Sequence, residues 1–114
     1  QNRVLVVTAA AEDDSNLEQQ RAAVASAAED FADRDMVLVA LLNDGVSLAG
    51  DRELTDGEAD MARAKLGIYA RDFAVKLIGK DGSVKLSKQA VTSMDEIFSL
   101  IDTMPMRRRE MADR

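Results

Sequence analysis

The chain of 114 residues contains no cysteine, histidine or tryptophan and only one proline. Without cysteine it has no disulfide and no thiolate nucleophile, and without histidine it lacks the commonest general base and zinc ligand. Any catalytic chemistry would therefore depend on carboxylates, lysine or hydroxyl groups. Its apolar runs are far shorter than the roughly 20 residues that cross a bilayer, so we expect a soluble protein without a membrane span.

Acidic residues outnumber basic ones. The chain has 21 acidic and 15 basic residues, a net charge of −6, which disfavours nucleic acid as a partner. Residues 107–114 differ, because they carry a net charge of +2 whereas the rest of the chain carries −8. The length suits one domain, which we predict over residues 1–104, followed by a basic tail at 105–114. We expect a solvated tail. The alternatives for Arg107, Arg108 and Arg109 are packing on the acidic edge formed by the residues after the first two strands, binding of an anionic partner, or linkage to a further segment.

The first part of the chain predicts a parallel pair of strands. The aliphatic run in residues 3–8 is typical of a central strand covered on both faces, and residues 36–42 repeat it. Between them, Ser15 and Glu18 have the spacing of a capping box, and an apolar helical stripe continues to Arg34-Asp35. A strand, a helix and a strand of these lengths form a right-handed parallel crossover.

A second helix is predicted after a loop. Residues 43–56 are rich in glycine and acidic side chains, so we expect an exposed loop there. Thr55 and Glu58 form a further capping box, and the helix that follows them stops at Gly67.

The remaining elements are a hairpin and a last helix. Strands at 73–78 and 84–86 are joined across Asp81-Gly82, a strong signal for an antiparallel hairpin. The last helix opens at Ser93 and ends at Pro105. The predicted fold class is therefore α/β, thioredoxin-like, with the order β-α-β-α-β-β-α and a mixed four-stranded sheet.

A family likeness covers nearly the whole chain. The stretches that carry it are Arg3-Val-Leu-Val-Val7, Glu12-Asp-Asp14, Gln20-Arg21, Arg34-Asp35, Ile78-Gly-Lys-Asp-Gly82 and Met104-Pro-Met-Arg-Arg108. In this order and spacing they resemble a domain family of unassigned function that is related to thioredoxins and peroxiredoxins. That family is met in bacterial small proteins and in animal extracellular proteins of the sushi-repeat type.

The resemblance implies a thioredoxin-like scaffold without thioredoxin chemistry. Redox members carry Cys-x-x-Cys where the first strand meets the first helix, and residues 13–16 take that place here. The proline that such proteins place before the hairpin is absent, and Arg71-Asp72 lies near its position. Disulfide exchange is therefore excluded within this chain. Gln1 in place of an initiator Met, together with the resemblance, favours an exported protein, although the sequence leaves the compartment open.

Acidic side chains follow both predicted parallel strands. Glu12, Asp13 and Asp14 come at the end of the first strand and Asn43 and Asp44 at the end of the second, and such strand ends meet at one edge of a sheet. Their oxygen atoms suit Mg²⁺ or Ca²⁺, so a divalent-cation site or a metal-assisted carboxylate enzyme is the alternative hypothesis. The main interpretation is that the acids stabilise the start of the helix through its dipole. We predict no catalytic residue and no cofactor.

The leading prediction is a non-catalytic binding module for an unidentified protein or small ligand. Its contact surface would be the edge formed by residues 9–16, 43–54 and 69–72, called the carboxyl-end rim below. Gln20 lies beside the buried stripe, and its expected role is a structural hydrogen bond to this rim. The oligomeric state is left open. The candidate contact residues are Glu12, Asp13, Asp14, Asn16, Gln20, Asp44, Arg71 and Asp72.

Overall fold

The computed structural model describes residues 1–69 and 71–113. These residues form a mixed α/β domain. Its strands and helices are, in chain order, β1 (Arg3–Ala11), α1 (Ser15–Ser26), α2 (Ala28–Asp33), β2 (Met36–Asp44), β3 (Ser47–Ala49), β4 (Arg52–Leu54), α3 (Asp56–Leu66), β5 (Ala74–Ile78), β6 (Val84–Lys88), α4 (Met94–Asp102) and α5 (Pro105–Ala112).

A single sheet contains these strands in the order β4-β3-β2-β1-β5-β6. β1 and β2 are parallel, and Ala11 at the end of β1 lies opposite Asp44 at the end of β2. β5 runs antiparallel to β1, with Ala74 opposite Thr8. The carboxyl ends of β1 and β2 and the start of β5 therefore share one edge of the sheet. The predicted fold class is confirmed, with six strands in place of four.

Helices cover both faces of the sheet. On one face, Leu5 and Val7 of β1 pack with residues of α1, α2 and α4, among them Leu17 and Ile97, in the larger apolar core. On the other face, α3 places Ala59 against Val6 and Leu41 in a smaller cluster. Alternate side chains of β1 thus enter opposite cores, which explains its almost continuous aliphatic sequence.

The predicted exposed loop at 43–56 is wrong in part, because β3 and β4 lie within it. Ala49 pairs with Arg52, so Gly50 and Asp51 form a two-residue hairpin turn. Gly50 has a φ of +61°, a conformation that glycine adopts without steric cost. Three-residue strands are too short to give an alternating pattern, but Gly-Asp was an available turn signal.

The helix starts are predicted with mixed success. Asp14, not Ser15, is the N-cap of α1, since its side chain accepts a hydrogen bond from the N–H of Leu17 at 2.9 Å. The capping box of Thr55 and Glu58 is confirmed at α3. The first helix is also interrupted at Ala27, which separates α1 from α2.

The C-terminal residues form a helix, so the expected solvated tail is wrong for the part that the structure describes. Pro105 does not close a helix; it begins α5, where its missing N–H removes no helical hydrogen bond. Arg107 is only 2% exposed, whereas Arg108 and Arg109 are exposed. None of the helices described is long and apolar enough to cross a membrane.

Candidate functional site

The start of α1 forms the first side of the carboxyl-end rim. Asp14 is occupied in capping the helix, while Asp13 and Asn16 are exposed. Glu12 forms an ion pair with Arg21 at 3.0 Å. Asp14 therefore stabilises the start of α1 as its N-cap, and Glu12 is held by Arg21 of the same helix.

A second pair of rim residues is joined across the chain. Asp44, at the end of β2, accepts a hydrogen bond from the guanidinium of Arg71 in the segment before β5. This hydrogen bond and the charge of Arg71 hold the pKa of the Asp44 carboxyl below its ordinary value. The pKa of Arg71 is raised for the reciprocal reason. The pair joins the segment before β5 to the end of β2 at the surface of the protein.

The divalent-cation hypothesis is not supported by this arrangement. Asp14 and Asp44 are already bonded to a backbone N–H and to Arg71, respectively. Within residues 1–69 and 71–113, no group of three or more acidic side chains is placed to hold a metal ion. The metal-assisted carboxylate enzyme depends on the same residues and is not supported either.

Gln20 is a structural residue. It is fully buried, its Nε2 donates to the carbonyl of Thr92 at 3.0 Å, and its Oε1 accepts from the N–H of Thr92 at 2.8 Å. The expected structural hydrogen bond exists, but its partner is the segment before α4 rather than the rim. Because Gln20 is buried, it cannot contact a ligand at the rim, and its prediction as a contact residue is wrong.

Two exposed apolar side chains on the rim were not singled out from the sequence. Tyr69 is 83% exposed and Val46 is 48% exposed. They lie on the two segments that the Asp44–Arg71 pair joins. Asp72, on the same segment as Tyr69, is exposed, and its carbonyl accepts a hydrogen bond from the buried hydroxyl of Thr8 at 3.1 Å. Val46 is a single apolar residue between Gly45 and Ser47, so no local pattern in the sequence distinguishes it.

A cleft adjoins the rim on the α3 face of the sheet. It lies between the end of α3 and the β5–β6 hairpin and has a volume of about 310 Å³. We call it the α3 cleft. Tyr69 and Asp72 belong both to the rim and to the wall of this cleft. Its remaining lining residues are Gly67, Ile68, Ala74, Lys76, Ser87, Lys88 and Gln89.

Charged residues also converge at the opposite end of the sheet, where α5 is attached. Arg107 pairs with Asp33 at 2.6 Å and with Asp102 at 3.2 Å. Glu110 pairs with the buried Arg3 at 3.2 Å and with Lys80 at 2.7 Å. These ion pairs, called the basal cluster below, hold Arg107 and Glu110 of α5 against β1, α2, α4 and the β5–β6 turn.

The basal cluster shifts the titration of its acids. Burial alone would raise the pKa of Glu110, but hydrogen bonds from Lys80 and Arg3 outweigh it and lower the pKa to about 2. Burial opposes the same effect at Asp102, where bonds from Arg34 and Arg107 lower the pKa. Both carboxylates are therefore charged and paired at neutral pH.

The fold belongs to the thioredoxin-like class, as comparison with solved structures shows. A reduced 2-Cys peroxiredoxin of Plasmodium vivax superposes with a TM-score of 0.65 at 15% sequence identity, over 95% of this chain and 80% of that one. Thioredoxin peroxidase I of Plasmodium yoelii gives a TM-score of 0.64 at 18% identity, over 95% of this chain and 75% of that one. At such identities the likeness concerns the fold alone.

The family itself is shown by the sequence. Residues 1–110 match the model of a domain of unknown function, DUF4174. The chain therefore belongs to the DUF4174 family. Its thioredoxin-like fold and the absence of cysteine confirm the expected uncharacterised thioredoxin-like domain.

Proposed function

We propose that the protein is a non-catalytic binding module whose contact surface is the carboxyl-end rim. The observation that supports this most directly is the exposure of Tyr69 and Val46 on the two segments that the Asp44–Arg71 pair holds together. A tyrosine offers a large, rigid contact area at low cost in side-chain entropy, which suits it to an interaction surface.

The polar residues of the rim add hydrogen-bonding groups to this surface. Asp13 and Asn16 are exposed at the start of α1, where redox members of the fold carry their thiols. Both side chains are available to a ligand. We do not assign the same role to Asp14, because its oxygen caps α1 and an alanine there would cost about 1 kcal/mol of stability.

Selection of peptides on the folded protein tests this proposal. Peptides from an unbiased displayed library are selected on the wild type and then measured on two double variants. One is Val46→Ser with Tyr69→Ser on the rim. The matched control is Met61→Ser with Met106→Ser, which removes two apolar side chains that are 64% and 44% exposed elsewhere.

We expect the rim variant to bind the selected peptides at least about 10-fold more weakly, equivalent to about 1.4 kcal/mol. The control variant should retain wild-type affinity. Equal affinities for the two variants, or a larger loss in the control, would contradict the proposal. Circular dichroism and melting curves of all three proteins establish that each is folded.

A further inference from the structure

The β5–β6 hairpin contains one lysine whose charge is not balanced within the described chain. Lys80, Lys85 and Lys88 pair with carboxylates at 2.7, 2.9 and 3.4 Å. Lys76 differs, because among the residues that the structure describes no acidic group lies within ion-pair distance of its Nζ. Its single polar contact there is the Oγ of Ser87 at 2.8 Å.

Lys76 is half-buried and lines the α3 cleft. An ammonium group has three N–H donors, and one of them is used by Ser87. The hydrogen bond to Ser87 lies at the surface, so the ammonium group is accessible and its charge attracts an anion placed beside it. The α3 cleft, with its volume of about 310 Å³, has the size at which protein pockets begin to hold small organic ligands.

We propose that the α3 cleft binds an organic monocarboxylate, with Lys76 as its ionic partner. Tyr69 offers an apolar ring, and Ser87 and Gln89 offer hydrogen-bonding groups to the same ligand. Asp72 also lines the cleft, and its negative charge opposes multiply charged anions such as phosphate. This inference deepens the proposed function and rests on it, since Tyr69 and Asp72 belong to both surfaces.

Titration of the ¹⁵N-labelled protein tests the proposal. The probes are 3-phenylpropanoate and acetyl-phenylalanine, each beside its uncharged amide, and inorganic phosphate. The variants are Lys76→Met, which removes the charge at similar size, and Lys65→Met, which removes a charge from an exposed position of α3 outside the cleft. Amide spectra of both variants establish that the fold is retained.

We expect the carboxylate ligands to cause saturable shifts at the backbone amides of Tyr69, Lys76 and Ser87. The uncharged amide ligands and inorganic phosphate should cause none. Lys76→Met should weaken carboxylate binding by about 10-fold or more, while Lys65→Met leaves it unchanged. Binding that survives Lys76→Met, or that the uncharged amides reproduce, would overturn the inference. Preference for the acetylated amino acid would point to a peptide C-terminus as the source of the carboxylate.

The rim-selected peptides separate failure of this inference from failure of the proposed function. If those peptides bind through the rim but carboxylates give no saturable shift, the monocarboxylate site is wrong and the binding module stands. If neither peptides nor carboxylates bind, both are wrong.

Discussion

At the scale of single residues, buried polar side chains are fixed by the partners they satisfy. Gln20 could be singled out from the sequence because it interrupts an apolar stripe, where an amide needs hydrogen bonds. Its partner, Thr92, lies 72 positions away, so only the tertiary structure reveals it. The same holds for Arg3, whose pairing with Glu110 connects the two ends of the chain.

Replacing Gln20 with leucine should destabilise the protein by about 1–3 kcal/mol. The reason is that the buried N–H and carbonyl of Thr92 would both lose their side-chain partner. Chemical denaturation measures the effect. Gln19→Leu is the matched control on the exposed side of the same helix and should change stability by less than about 0.5 kcal/mol. Similar losses in the two variants would contradict the role assigned to Gln20.

At the scale of elements, apolar pattern and turn chemistry predicted most of the structure. The buried strands β1 and β2, the β5–β6 hairpin and the cap of α3 all follow from local signals. α5 does not, because its only buried residue is Arg107 and its attachment depends on charges from distant parts of the chain. A helix without an apolar face gives no periodic signal to find.

Acidification should loosen α5 before the sheet unfolds. Glu110 faces Arg3 of β1, Lys80 of the hairpin turn and Arg107 of its own helix. Because its pKa is lowered in the folded protein, its stabilising effect is complete at neutral pH and is lost as the pH falls from about 4.5 to about 2. With the side chain 27% exposed, we expect a loss of about 1–2 kcal/mol.

Amide hydrogen exchange across this pH range measures the loosening. Protection of α5 should fall while that of β1 persists. Glu110→Gln should weaken α5 already at neutral pH and flatten the pH response, whereas Glu18→Gln, at an exposed position of α1, should do neither. Loss of protection at the same pH in α5 and β1 would show that the basal cluster does not control α5 separately.

At the scale of the whole molecule, one sheet separates two groups of polar residues. The basal cluster is internally paired and attaches α5, whereas the carboxyl-end rim exposes Tyr69 and Val46 beside the α3 cleft. Strand polarity was enough to predict from the sequence that Asp14 and Asp44 lie at one edge. The pairing of Asp44 with Arg71 and the exposure of Tyr69 depend on how the loops pack, and the local sequence does not encode that.

The most direct test is to locate, by ¹⁵N amide shifts, where the peptides selected on the wild-type protein bind. We predict that the perturbed amides cluster at the carboxyl-end rim, in residues 9–16, 43–54 and 69–72, with the strongest changes around Tyr69. Perturbations centred on α5 and the basal cluster, with the rim unaffected, would contradict it.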